Sequence, residues 1–200
     1  MKSFPNIKNK GFTLVETLVA ISILSLAITG PLVIAQKGIG SAVYARDEIT
    51  AFYLAQEAVE YARNVRDTNR IGGYAGGWLS QFVNANCIDN GSGQRCQVNG
   101  IEDFTNLSTL SQAISECSLP KVNGADVCPP VAFDSTKKLY GYSSANTSGD
   151  AWANTQFTRT IDIKEINPGV EALVTVTISW QTNIFTPMES FTVAEHIFAF

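Results

Sequence analysis

Residues 8–35 read KNKGFTLVETLVAISILSLAITGPLVIA, and the 24 residues from Phe12 to Ala35 contain a single ionisable side chain, Glu16. As a helix this run rises about 36 Å, against a bilayer hydrocarbon core of about 30 Å. A cleaved secretory peptide has an apolar region of about 7–15 residues and a small-residue cleavage site beyond it. Here the run is longer, and Gly30-Pro31 makes no such site. The segment therefore reads as a retained membrane span.

Charge is arranged in order around it. Residues 1–11 carry Lys2, Lys8 and Lys10 and no acid, while Lys37 onward holds 11 basic and 17 acidic residues. Positive charge ahead of a first span keeps that end in the cytoplasm, which places the acidic body on the far side. Over the whole chain of 200 residues the net charge is -4, with 45% hydrophobic and 16% charged side chains. That is too apolar for disorder and lacks the basic stripe of a nucleic-acid binder. One histidine, His196, argues against His-based metal sites and triads, and no G-x-S-x-G elbow or metal-ligand cluster stands in for them.

Glu16 is the anomaly in the span. A carboxylate at mid-bilayer costs about 2.5–3.5 kcal/mol on insertion scales and less near the interface. Either it snorkels from its place near the start of the run, or it awaits a cation that the segment itself does not supply. Cutting after Gly11 would create one, the α-amino group of Phe12, four residues before Glu16.

The stretch Lys8-Asn9-Lys10-Gly11-Phe12-Thr13-Leu14-Val15-Glu16, with its continuous apolar run, resembles the processing signal of type IV prepilins and type II secretion pseudopilins. Phe52 to Tyr61 (FYLAQEAVEY) is similar to the helix of minor pilins and of pseudopilin I. The resemblance implies cleavage between Gly11 and Phe12 by a prepilin peptidase and N-methylation of Phe12 by the same enzyme. It further implies pairing of Glu16 with the Phe12 amine of a neighbouring subunit. The partners it implies are other pilin or pseudopilin subunits and an inner-membrane assembly platform, with no cofactor. Many members have a proline about twenty-two residues into the mature chain; Gly30-Pro31 falls a little earlier and is the expected helix kink or melted turn.

Beyond the span, residues 36–70 lack proline and are rich in Ala, Gln, Glu and Arg, which predicts a continuation of the helix. Leu54, Ala58, Tyr61 and Val65 form one apolar stripe. Arg63 can pair with Glu60 or Asp67 across one turn. Gln56, Glu57 and Arg66 are either contacts to neighbouring subunits or a solvated face. The helix is expected to end near Ile71-Gly72-Gly73.

Residues 71–150 are dense in Gly, Asn and Ser and read as loops, with one short helix expected from Ser108 to Cys117. Cys87, Cys96, Cys117 and Cys128 have no C-x-x-C spacing, so a zinc ribbon is not indicated. Outside the cytosol, 87–96 with 117–128 is the preferred of three pairings because each bond closes a short loop; free thiols are the alternative. Asp89, Asp126 and Asp134 match no calcium loop. Tyr74, Trp78, Tyr140, Tyr142 and Trp152 either stack on a ligand or are partly buried.

In residues 151–200, Phe157, Arg159, Ile161 and Ile163 alternate with polar residues. After the turn Asn167-Pro168-Gly169, so do Ala172, Val174, Val176, Ile178 and Trp180. This period of two, with a third run from Glu189 to Phe200, predicts an antiparallel meander. The expected architecture is α+β, a long amino-terminal helical spine packed on a carboxyl-terminal antiparallel sheet. Segment by segment it is a leader over 1–11, a span over 12–35, the outer helix over 36–70, loops over 71–150 and the sheet over 151–200.

The leading functional expectation is a non-catalytic minor subunit of a type IV pilus. A pseudopilin of a type II secretion system is the alternative, and a membrane-anchored adhesion or DNA-uptake protein is the reading from a different class. The expected location is a single pass of the inner membrane, and after assembly a filament at the cell surface or in the periplasm.

Overall fold

The computed structural model describes residues 11–72, 76–99, 113–117, 119–122, 125–142, 152–182 and 187–200. The basic leader with Lys2, Lys8 and Lys10, and also Gly73, Tyr74 and Ser108, lie outside the described residues. Contacts divide the chain into residues 1–47 and residues 48–200, and each unit is considered by itself.

Helix α1 (Leu14–Ile71) includes both the apolar run and the Ala/Gln/Glu/Arg-rich stretch. It ends where Gly72 follows, its N–H bonding the Thr68 carbonyl at 2.9 Å. Helix continues through Gly30 and Pro31, so the melted turn expected there is absent. Proline removes only one N–H from the ladder, and a side chain at Gly30 would meet nothing within 4 Å.

In the first unit the apolar side chains of α1 have no cover; Leu14, Ile21, Leu26 and Ile34 are 58% exposed or more. The hydroxyls in this run turn back on their own helix. Ser22 donates to the Leu18 carbonyl and Ser25 to that of Ile21, both at 2.8 Å, and Thr29 donates to that of Ser25 at 2.7 Å. Such bonds leave no side-chain donor seeking water, the condition that a hydrocarbon surrounding imposes. By length and composition α1 can cross a membrane, with a mean hydropathy of 2.4 over its most apolar window.

The second unit is an antiparallel sheet with helix 48–71 on its inner face. Its centre is β7 (Trp152–Asn167), joined from Phe157 to Asn167 to the whole of β8 (Glu171–Trp180). β8 in turn pairs with β9 (Glu189–Phe198), which gives the meander expected from the alternating pattern. Phe157, Arg159, Ile161 and Ile163, and every second residue from Ala172 to Trp180, are buried as the period of two requires. The β7–β8 link is a tight turn in which Pro168 precedes Gly169 at φ 76°, and Val170 N–H bonds the Asn167 carbonyl at 2.9 Å. Proline and glycine in these positions fit a type II turn.

The sheet is larger than the sequence indicated. On its other side β7 pairs with β1 (Cys96–Val98), which carries β2 (Ile114–Glu116), and with β5 (Pro130–Asp134), which carries β6 (Leu139–Gly141). β3 (Leu119–Val122) and β4 (Ala125–Val127) form a separate hairpin. The region read as loops thus supplies strands, and residues 114–116 of the expected 108–117 helix are a strand. These segments are short enough that pairing with β7, rather than local preference, sets their conformation.

The core joins Leu54, Ala58, Tyr61 and Val65 of α1 to Ile161, Ile163, Val174, Val176 and Ile178 of the sheet, all 4% exposed or less. The short α2 (Ser80–Asn84) closes one end, where buried Asn69 donates to the Trp78 carbonyl at 2.9 Å and to Gln81.

Candidate functional site

Gly11 and Phe12 precede α1 in an irregular, exposed segment, with Phe12 at 85% exposure. Among the described residues, a side chain at Gly11 would meet nothing within 4 Å.

Thr13 and Glu16 then start the helix. The Thr13 N–H and hydroxyl both donate to Glu16 Oε2 at 2.9 Å, and the Glu16 N–H donates back to Thr13 Oγ1 at 3.3 Å. This is a capping box, in which two otherwise orphaned N–H groups are satisfied reciprocally. The T-x-x-E spacing that produces it gives Glu16 a role besides snorkelling to the interface or pairing with a cation. Glu16 thus lies one turn from the Phe12 nitrogen, held at the mouth of the helix where the dipole favours an anion.

The remaining residues singled out from the sequence are in the second unit. Cys87 is bonded to Cys96 and Cys117 to Cys128, with Cα–Cα separations of 5.6 and 4.5 Å. The first bond closes the loop in which Asp89 Oδ1 accepts from the Gly91 and Gly93 N–H groups at 3.0 and 2.9 Å. The second flanks the β3–β4 hairpin at its base. In β5, Asp134 is buried and turns the following loop by accepting from the Thr136 N–H at 2.7 Å.

Arg63 does not pair with Asp67. Its guanidinium meets Glu195 of β9 through Nε at 2.8 Å and Nη2 at 2.6 Å, and Glu60 through Nη1. A two-pronged, partly buried contact outcompetes a solvated i,i+4 pair, and the Glu195 hydrogen bonds raise the Arg63 pKa. Asp67 is held instead by Arg66 at 2.7 Å.

Glu57 is an internal contact. It accepts from Arg159 Nη1 at 2.7 Å, and that nitrogen also reaches the Leu54 carbonyl at 3.2 Å. The other terminal nitrogen of Arg159 donates to the Val98 carbonyl, and its guanidinium lies 5.9 Å from the centre of the Tyr142 ring. Arg159 has no exposed surface, and its buried charge is answered by one carboxylate and two carbonyls. Burial raises the Tyr142 pKa, an effect that Arg159 partly offsets. On the outer face, burial and the charge of Asp89 raise that of Asp162.

Of the aromatics placed in loops, Tyr140 is in β6, Trp152 starts β7, and Trp78, Tyr140 and Tyr142 pack against the core. His196 lies in β9, with Nδ1 2.6 Å from Glu171 Oε1. Among the described residues, no three His, Cys, Asp or Glu side chains converge as a metal site would require.

Comparison with known proteins is informative at the amino terminus. The family described as "Prokaryotic N-terminal methylation motif" matches residues 6–30, which include Gly11, Phe12 and Glu16. No curated protein and no solved structure matches the chain. The motif, followed by an apolar helix and an antiparallel sheet, supports a place for the chain among the type IV pilin-like proteins.

Proposed function

We propose that this chain is a non-catalytic minor subunit of a type IV pilus, stored in the inner membrane and extracted into a filament through its amino-terminal helix. The observation that carries the reading is the coincidence of a methylation motif at residues 6–30 with a helix whose apolar side chains are uncovered. Uncovered apolar surface of this extent needs lipid or other helices around it.

In this account a prepilin peptidase cuts between Gly11 and Phe12 and methylates the new amine. The amine is then the cation that Glu16 lacks, provided by an adjacent subunit, and the pairing sets the stagger between helices. The low dielectric around the helices makes an unpaired carboxylate costly, and an opposite charge offsets part of that cost. Gly30 and Pro31 are where the helix bends or unwinds when packed, since one ladder hydrogen bond is already missing there. The amino terminus stays cytoplasmic and the body lies outside, where its disulfides persist. The assembly platform and other pilin subunits are its partners.

An epitope tag in the body, followed by shearing of surface fibres, tests the reading. Recovery of the tagged chain in the sheared fraction at low ratio to the major subunit is expected. Retention in the periplasm, with normal pili but defective secretion in the deletion strain, would assign it to a secretion pseudopilus instead.

A further inference from the structure

A cleft of about 320 Å³ opens between α1 and the β5–β6 hairpin. Tyr53, Leu54 and Glu57 line it from the helix, and Lys138, Leu139 and Tyr140 from the hairpin. Its size is at the small end of ligand clefts, about 300–1,000 Å³, and it takes one pyranose ring with its substituents.

The Lys138 backbone and the Glu57 carboxylate are held in place. Lys138 has φ 59°, a left-handed conformation in which glycine or asparagine is the unstrained choice. Its N–H closes the hairpin loop onto the Asp134 carbonyl at 2.8 Å, and its Nζ lies 6.0 Å from the centre of the Phe133 ring. Among the described residues this ammonium has no carboxylate partner. Glu57 is fixed through Oε2 by the buried Arg159, and Oε1 remains an acceptor.

The charges and rings define the ligand. Arg159 balances Glu57, so among the described residues lining the cleft Lys138 carries the one positive charge without a carboxylate, which suits an anion. Tyr140 is braced against Phe133 with ring centres 5.0 Å apart, while Tyr53 is 65% exposed. Two phenol rings beside an aliphatic floor suit the apolar face of a sugar. An acidic peptide side chain would answer Lys138 but bring no hydroxyl to Glu57. A hexuronic acid supplies the carboxylate and several hydroxyl donors on one ring.

We propose that this cleft is a subsite for a carboxylate-bearing sugar of an extracellular polysaccharide or glycan. Lys138 takes the carboxylate, Glu57 accepts from ring hydroxyls, and Tyr53 and Tyr140 pack on the ring. The assignment goes beyond the filament reading and rests on it only for placing the body outside the cell; sugar binding by the purified protein is read independently of filament assembly.

Titration calorimetry on the full-length protein in detergent micelles tests it, with trigalacturonate and a hyaluronan tetrasaccharide as acidic probes. Neutral maltotriose and an end-blocked pentaglutamate peptide are the comparisons. At least one acidic sugar is expected to bind saturably, about tenfold or more tighter than maltotriose or the peptide. Lys138→Gly, which relaxes the backbone while removing the charge, should weaken that binding about tenfold or more. Tyr53→Ala, on the exposed helix face, should weaken it as well. Failure of both acidic sugars to bind, equal or tighter binding of pentaglutamate, or unchanged affinity in Lys138→Gly would each overturn the proposal.

Discussion

Thr13 and Glu16 hold each other: the threonine N–H and hydroxyl reach one carboxylate oxygen, and the glutamate N–H returns to the threonine hydroxyl. The carboxylate expected to meet a neighbour's amine is therefore already employed in starting its own helix. Capping uses the oxygen as an acceptor and glutamine can serve there, whereas pairing with an amine needs the negative charge.

Substitutions separate these two roles. Glu16→Gln should keep the helix start, membrane insertion and processing, while incorporation into sheared filaments falls about tenfold or more. Glu16→Ala should lose both capping and incorporation. Thr13→Val should weaken the cap alone and leave incorporation within about twofold of normal. Quantitative immunoblots of membrane and filament fractions read all three, and normal incorporation of Glu16→Gln would remove the charge from the mechanism.

Arg159 ties β7 to α1 and β1 within the second unit. Arg159→Met should cost about 3 kcal/mol, because the Val98 and Leu54 carbonyls lose their donor and Glu57 loses its cation. Glu57→Gln should cost less, since that side chain is 39% exposed and its amide oxygen still accepts. A double-mutant cycle by denaturant unfolding should show coupling of about 1 kcal/mol or more between them; additivity would mean that the pair contributes nothing.

The two disulfides close loops with separations of 9 and 11 residues. On the chain-entropy estimate each stabilises by about 2.5–3 kcal/mol. Replacing both Cys87 and Cys96 with alanine should lower the unfolding free energy by at least that amount, as both sulfurs are buried. The Cys117/Cys128 pair of substitutions should instead loosen the β3–β4 hairpin first, visible as faster amide exchange confined to residues 119–127.

Asp162 gives a pH dependence of opposite sign to that of a salt-bridged acid. Its pKa is raised in the folded protein, by burial first and then by Asp89. The folded state thus binds the proton more readily than the unfolded state, and the charged form is a destabilising element above the folded pKa. Asp162→Asn should accordingly raise Tm at pH 7, with the gain fading as pH falls through the folded pKa and gone below the unfolded value of about 3.9. An equal gain at pH 3 and pH 7 would place its origin elsewhere.

Much of this fold is legible in the chain because its signals are local. The apolar run, the glycine beyond Ile71 and the alternation through Ala172, Val174, Val176, Ile178 and Trp180 each follow from short-range periodicity. Even Arg159 is placed on the inner face by its position between Phe157 and Ile161. What stayed hidden is long-range. Cys96-Gln97-Val98 is too short to show a period and becomes a strand by joining Ile161 and Ile114. Arg63 chooses Glu195, 132 residues away, over the nearby Asp67. The capping box differs, being a local signal carried by Thr13 and Glu16 three residues apart.

The most direct measurement is amino-terminal mass spectrometry of the protein extracted from the membranes of its native host. The account predicts a mature chain beginning at N-methylated Phe12. A chain still beginning at Met1, in cells that contain an active prepilin peptidase, would contradict it.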